Sequence, residues 1–146
     1  MVIDDHLLRD VLAGTRSPDL DGLAADGLAT TGLWWFRLCA SFAASDVAGK
    51  LARPVADLPE DLQARFRAQL TALPANIALL SMREIAWLMA DVQARHRMAG
   101  RGLSAAMAEA LAAAHSLGSG IAVSINDVGP NLRAAAEADG VEFVVV

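Results

Sequence analysis

Hydrophobic positions along this chain switch between two periods, and the switches divide it into short strands and longer helices. Met1 to Asp4 is a brief apolar run ended by acids, the pattern of a buried strand. His6 to Leu12 sets Leu7, Leu8, Val11 and Leu12 at helical spacing, and Gly14 is a fitting C-terminal stop. Thr15 to Asp26 carries Ser17-Pro18-Asp19 and Asp21-Gly22, so it reads as a loop or a broken helix. Gly27 to Thr30 reads as a second strand, with Thr30 or Thr31 capping a helix that begins near Leu33. That helix is apolar nearly all round, with Arg37 its only charge, which suits a buried or interfacial position. Adjacent Trp34 and Trp35 cannot share one face, so one of them is expected to meet another helix or another subunit.

The pattern continues in the same alternation. Ala43 to Val55 reads as a short connecting helix with Gly49 and Pro54 near its end. Leu58-Pro59-Glu60-Asp61 opens another helix, since proline suits a first turn and acids suit an N-terminal dipole. Leu62, Phe66, Leu70 and Leu73 give it an apolar stripe, and Pro74 stops it. Ile77 to Leu80 is a third strand; Ser81 then starts a helix with Ile85, Leu88, Met89 and Val92 on one face and Trp87 off it. After the break at Ala99-Gly100-Arg101-Gly102, residues 102–127 read as an alanine-rich helix, a glycine turn, a strand over Ile121 to Ser124, and a polar end. Pro130 to Ala138 is a helix, Asp139-Gly140 a turn, and Val141 to Val146 a fifth strand. Strands alternating with helices predict one α/β domain over residues 1–146, with a central, mostly parallel sheet of about five strands. No repeat, linker or low-complexity tail interrupts it.

Composition narrows the classes. A chain of 146 residues buries a core without disulfides or a structural metal. Its mean hydropathy of +0.38 owes much to helical alanine. Every long apolar run is broken, by Arg37 in one case and by Glu109, His115 and two glycines in another, so no membrane span is expected. The opening MVIDDH carries acids where a secretory signal wants a positive charge, and a cytoplasmic location is the expectation. Cys39, the one cysteine, reads as a buried thiol. The net charge of −5 argues against nucleic-acid binding by the whole surface. The local basic groups Arg95, His96, Arg97 and Arg101, with Arg65 and Arg67, read first as solvated helix positions.

Candidate chemistry lies at strand ends. The first strand ends in Asp4 and Asp5, the fourth in Asn126 and Asp127; in a parallel sheet with both strands central, these converge at the carboxyl edge. Clustered carboxylates there would hold Mg²⁺ or Mn²⁺ and activate a water. Spacing alone equally suits acids that only solvate loops. A dinucleotide-binding fold is disfavoured, since no glycine-rich loop follows Asp4 and Gly118-Ser119-Gly120 precedes a strand. His6, His96 and His115 show no metal-ligand spacing.

Three passages together resemble the PIN-domain family, and within it the VapC-type toxins of bacterial toxin–antitoxin pairs. They are Val2 to Leu8, the run from Ile77 through Ala99–Ser104 to Ala114, and Ile121 to Asp127. The resemblance implies a PIN-like three-layer α/β/α sandwich and a Mg²⁺- or Mn²⁺-dependent endoribonuclease acting on RNA. It maps the first metal-binding acid onto Asp4. The second falls at Arg37 and the third at Met107; Asn126 stands where an aspartate is common, with Asp127 beside it, and Ser124 where a hydroxyl is common. On this reading Asp4 and Asp127, with Asp5 and Glu109, bind metal and orient the attacking water, while Ser124 or Asn126 holds a ligand or phosphate. Arg37 would contact phosphate, on chemical grounds alone. At 100° per residue, Leu103, Met107, Ala110, Leu111, Ala114 and Leu117 share a face and Glu109 points away from it, so Met107 is expected to occupy the direction of the site. The alternative is a catalytically inactive PIN-like binding or regulatory module. It would act through a homodimer or an antitoxin-like protein partner, using the Trp34/Trp35 helix and the Trp87 helix.

Overall fold

The computed structural model describes residues 1–15, 18–23, 27–43 and 49–146. In chain order these form β1 (Val2–Ile3), α1 (Asp5–Ala13), α2 (Pro18–Leu23), β2 (Leu28–Thr30), α3 (Gly32–Ala43), α4 (Arg53–Ala56) and α5 (Glu60–Thr71). Then follow β3 (Ile77–Leu79), α6 (Met82–Met98), α7 (Ala105–Leu117), β4 (Ile121–Val123), α8 (Pro130–Ala138) and β5 (Phe143–Val145). The strands pair in the order β3-β2-β1-β4-β5, all parallel. The order reverses direction between β1 and β4, and a crevice opens there at the strands' carboxyl ends.

Alternation along each strand builds two cores, one on each face. Val2, Ala29, Ile121 and Val123 face one side with α6, α7 and α8. Ile3, Leu28, Ala122 and Ile77 face the other with α1, α2, α4 and α5. Helix α3 reaches both, through Trp34 on the first side and Leu38 on the second. Two ends follow from glycine: Gly14 and Gly118 close α1 and α7 at φ of 74° and 60°, a left-handed conformation other residues adopt at a cost. Among the described residues, no helix is long and apolar enough to cross a membrane.

Several expectations need correction. Pro54 opens α4 instead of lying near the end of a helix from Ala43, because a proline in the first turn has no N–H to leave unpaired. Residues 44–48 of that expected helix, and residues 16, 17 and 24–26 of the expected loop, lie outside the described residues. The rest of the loop contains α2, the broken-helix alternative. Strand β4 stops at Val123, since Ser124 turns its hydroxyl onto the Asn126 N–H and caps a single 3-10 turn, Ile125–Asp127. Strand β3 lies at the sheet edge with Ala78 and Leu79 exposed.

Candidate functional site

The first acid of the chain is held by two backbone amides. Asp4 caps α1, with Oδ1 accepting from Leu7 N at 2.8 Å, while Oδ2 accepts from Ser124 N at 2.8 Å just beyond β4. Because β1 and β4 are neighbours, one carboxylate clamps the start of α1 to the end of β4. The side chain is only 1% exposed. Burial raises its pKa to about 7 against the two amides, with the negative charges of Asp5 and Asp127 adding to the rise.

Asp5 and Asp127 meet over an arginine. Asp5 is fully buried, and its nearest cation is Arg37, with Nε 3.1 Å from Oδ2; neither Asp5 oxygen has a well-aligned hydrogen bond. The same guanidinium gives Nη2 to Asp127 Oδ2 at 3.2 Å. Burial raises the Asp5 pKa and Arg37 opposes that rise. His6 joins these acids: ring nitrogen and carboxylate oxygens of Asp5, His6 and Asp127 lie within 4.8 Å of one another. Burial lowers the His6 pKa, and Arg9 Nη1 lies 3.4 Å from its Nδ1. Histidine spacing in the sequence gave no sign of this, because His6 meets Asp127 only through the β1–β4 pairing.

The remaining predicted residues divide. Met107 does face this crevice, lining a space of about 70 Å³ with Asp4, Trp34, Arg37 and Asp127. Ser124 is buried and its hydroxyl accepts from both Asn126 N and Asn126 Nδ2 at 3.3 Å, so it is occupied as a local cap. Asn126 itself is exposed and lines a neighbouring cleft.

Glu109 is not in the acid group. It is fully buried, with Oε2 accepting from Leu33 N at 2.8 Å at the start of α3. Thr31 supplies the partner cap, its hydroxyl accepting from Trp34 N at 3.3 Å. A Cβ on Gly32 would come within 3.3 Å of Glu109 Oε1, so a glycine leaves the carboxylate its room. The face of α7 turned away from Met107, where Glu109 was expected, is not a solvent face. Residues 108–114 of α7 are all buried, because its alanines let neighbours approach from every direction.

The tryptophan surfaces also separate. Trp34 is buried, and Trp35 is half-buried with Nε1 donating to Leu70 O at 3.0 Å, so neither offers a free face. Exposed instead are Phe36 on α3, at 66%, and Trp87 on α6, at 87%.

A second polar cluster lies away from these acids, where α6, α7 and α8 end. Asp139 has Oδ2 2.9 Å from His115 Nε2 and 3.2 Å from His96 Nε2, and Arg95 pairs with both its oxygens. Burial alone would raise its pKa; the contacts from His115, Arg95 and His96 overcome that and hold it at about 2. Arg101 Nε donates to His96 Nδ1 at 3.0 Å, which puts the neutral ring's proton on Nε2, 3.2 Å from Asp139 Oδ2 but without a well-aligned hydrogen bond. A cleft of about 800 Å³ opens beside His115, Ser119, Asp139 and Glu142, apart from the carboxylates of the carboxyl edge.

No protein-family model matches the sequence, and no curated protein matches it by sequence. Among solved structures, a chain in the structure of FitAB bound to an IR36 DNA fragment superposes with a TM-score of 0.57. The match has 13% identity and covers 99% of this chain and 93% of that one. The likeness speaks for the fold alone: a PIN-like three-layer α/β/α sandwich on a five-stranded parallel sheet.

Proposed function

We propose that this chain is a PIN-like module related to VapC-type toxin endoribonucleases that works by binding and not by metal-dependent RNA cleavage. The observation that carries the reading is Arg37 lying between Asp5 and Asp127. Its guanidinium supplies there the positive charge that a Mg²⁺ or Mn²⁺ ion would supply. The residues present do not fit such an ion. Both Asp4 oxygens already accept backbone amides, Asp5 and Asp127 share a cation, and Met107 adds a thioether where hard metals want oxygen. An ion entering here would have to displace the arginine and leave a guanidinium without its partners.

A binding role directs attention to the exposed apolar groups Phe36 and Trp87. Large exposed apolar residues suit a homodimer contact or an antitoxin-like protein partner in the cytoplasm. RNA remains a ligand class for the chain, without cleavage.

The deciding experiment incubates the purified chain with single-stranded RNA in Mg²⁺ and separately in Mn²⁺, beside the Asp127→Asn variant. The expected result is no metal-dependent cleavage above that variant's background, and no Mn²⁺ bound by electron paramagnetic resonance. Cleavage that needs Mn²⁺ and disappears in Asp127→Asn would overturn the proposal and restore the nuclease.

A further inference from the structure

Helix α6 buries Ile85, Val92 and His96 against the fold, and its solvent side carries a second apolar face that the fold does not use. Met82, Ala86, Ala90, Ala94 and Met98 recur every four residues and are all exposed, forming one ridge along the helix. Trp87 stands beside that ridge at 87% exposure, and Met98 ends it at 90%. Turning at about 100° per residue, the helix sets Trp87 about 60° from Ala90, far from its buried line. Among the described residues nothing covers this face. Large apolar side chains so fully exposed suit a contact with another molecule. The alanines between them let a second helix approach closely, and a crossing of about 20° keeps two helices in contact over several turns.

Two cations decide what that molecule is. Arg83 and Arg97 lie about 20° to either side of Ala90, inside the same face. Both are exposed, and neither side chain has a hydrogen bond or ion pair with any described residue. The other charges of the helix are paired or turned aside. Asp91 pairs with Arg95 at 2.9 Å, and Arg95 also reaches Asp139. Glu84 lies about 120° round from Ala90. The face is therefore apolar along its length with an unpaired positive charge near each end, about 21 Å apart at about 1.5 Å per residue. That sign is the reverse of the chain's net charge of −5. A second copy does not complement it. Two-fold contacts bring the same face of both copies together. Antiparallel helices centred on Ala90 set Arg83 of one copy against Arg97 of the other; parallel helices set each arginine against itself. Either way like charges meet where water is excluded. A helix of a different protein, apolar on one side with a carboxylate facing each arginine, satisfies every group. Tryptophan and arginine are also the residues that carry most binding energy at protein contacts.

We infer that the exposed face of α6 docks an acidic amphipathic helix of a partner protein, with Trp87 as the apolar anchor and Arg83 and Arg97 holding carboxylates at its two ends. The inference rests on the proposed binding role and, for the Trp87 surface, names a different chain over a second copy.

The test uses the full chain and two designed, fluorescein-labelled helical peptides of about six turns, each with leucines along one face. One peptide carries glutamates at the spacing of Arg83 and Arg97, the other lysines in their place. Fluorescence anisotropy is expected to show the glutamate peptide binding at least about 10-fold more tightly than the lysine peptide. Trp87→Ala should weaken the glutamate peptide at least about 10-fold, with the melting temperature unchanged because the side chain is exposed. Arg83→Glu/Arg97→Glu should reverse the preference in favour of the lysine peptide, which a loss of folding cannot do. Arg53→Glu, on exposed α4 surface across the sheet, is the charge control and should keep the wild-type preference. Sedimentation equilibrium of the chain alone reads the other occupant: a monomer, or a dimer that persists in Trp87→Ala, leaves the face to the partner helix. Binding of neither peptide, equal binding of both, an unchanged preference in the double variant, or a dimer that Trp87→Ala dissociates would each overturn the inference. RNA cleavage is read separately. A chain that docks the glutamate peptide and cleaves RNA keeps this inference and refutes the proposed loss of cleavage; a chain that does neither refutes this inference alone.

Discussion

Raising the pH from 4 to 8 should destabilise this chain through Asp4, and replacing Asp4 with asparagine should remove that dependence. In the unfolded chain Asp4 has its ordinary value of 3.8; burial in the fold raises it to about 7. An acid whose folded pKa is raised binds more protons folded than unfolded between those values. Its stabilising effect is fully present below the unfolded pKa and is lost as pH rises through the folded one. A rise of about 3 units corresponds to roughly 4 kcal/mol at about 1.36 kcal/mol per unit. Asp5, also raised, acts in the same direction; His6, lowered by burial, acts oppositely, gaining stability as pH rises toward its ordinary value. The comparison with Asp4→Asn removes most of both. Asparagine offers one acceptor where Asp4 offers two, so the Leu7 or the Ser124 N–H loses its partner, at about 1–3 kcal/mol. Near pH 5 the wild type should therefore be the more stable; by pH 8 the difference should vanish or invert. Urea denaturation followed by tryptophan fluorescence measures it. A wild-type advantage that stays constant from pH 4 to 8, or grows, would refute the reasoning and show that the two amides hold Asp4 ionised against its burial.

Three further outcomes follow from the geometry. Glu109→Ala should cost about 1–3 kcal/mol in chemical denaturation by removing the acceptor of the half-buried Leu33 N–H, and Glu109→Gln should recover much of it by keeping an acceptor. Asp139→Asn should cost about 2 kcal/mol, since it removes the carboxylate that the buried His96 ring and His115 face, while Arg95 keeps Asp91; the wild-type contribution should persist above pH 4 and fade as pH falls through about 2, read from acid unfolding curves. Trp87→Phe should remove the most acrylamide-quenchable part of the tryptophan fluorescence, leaving the protected signals of Trp34 and Trp35.

Local signals were legible where one residue decides the outcome. Gly14 and Thr31 end and begin helices as their chemistry requires, and alternating runs located all five strands. Convergence of Asp5 and Asp127 followed from placing their strands together at the sheet centre. Other features depended on contacts between distant segments. Glu109 and Leu33 are 76 residues apart, and no periodicity within α7 indicates that α3 begins against it. His96, His115 and Asp139 lack metal-type spacing, yet they gather because three helices end at the same place. Arg37 was recognisable as a misfit among acids, but its bridging position between two of them required the fold.

The Asp4 clamp also bears on the order in which the chain is made. Its second amide comes from Ser124, 120 residues later. At about 5–20 residues per second, a ribosome releases β4 roughly 6–24 s after β1. During that interval the central strand has β2 for a neighbour and open water on its other edge. The sheet's middle thus closes near the end of synthesis, so a nascent chain exposes an apolar strand edge, flanked by Asp4 and Asp5, for most of its production. Two ionised acids at that edge, still solvated before β4 docks, would oppose its pairing with another chain until its own partner arrives.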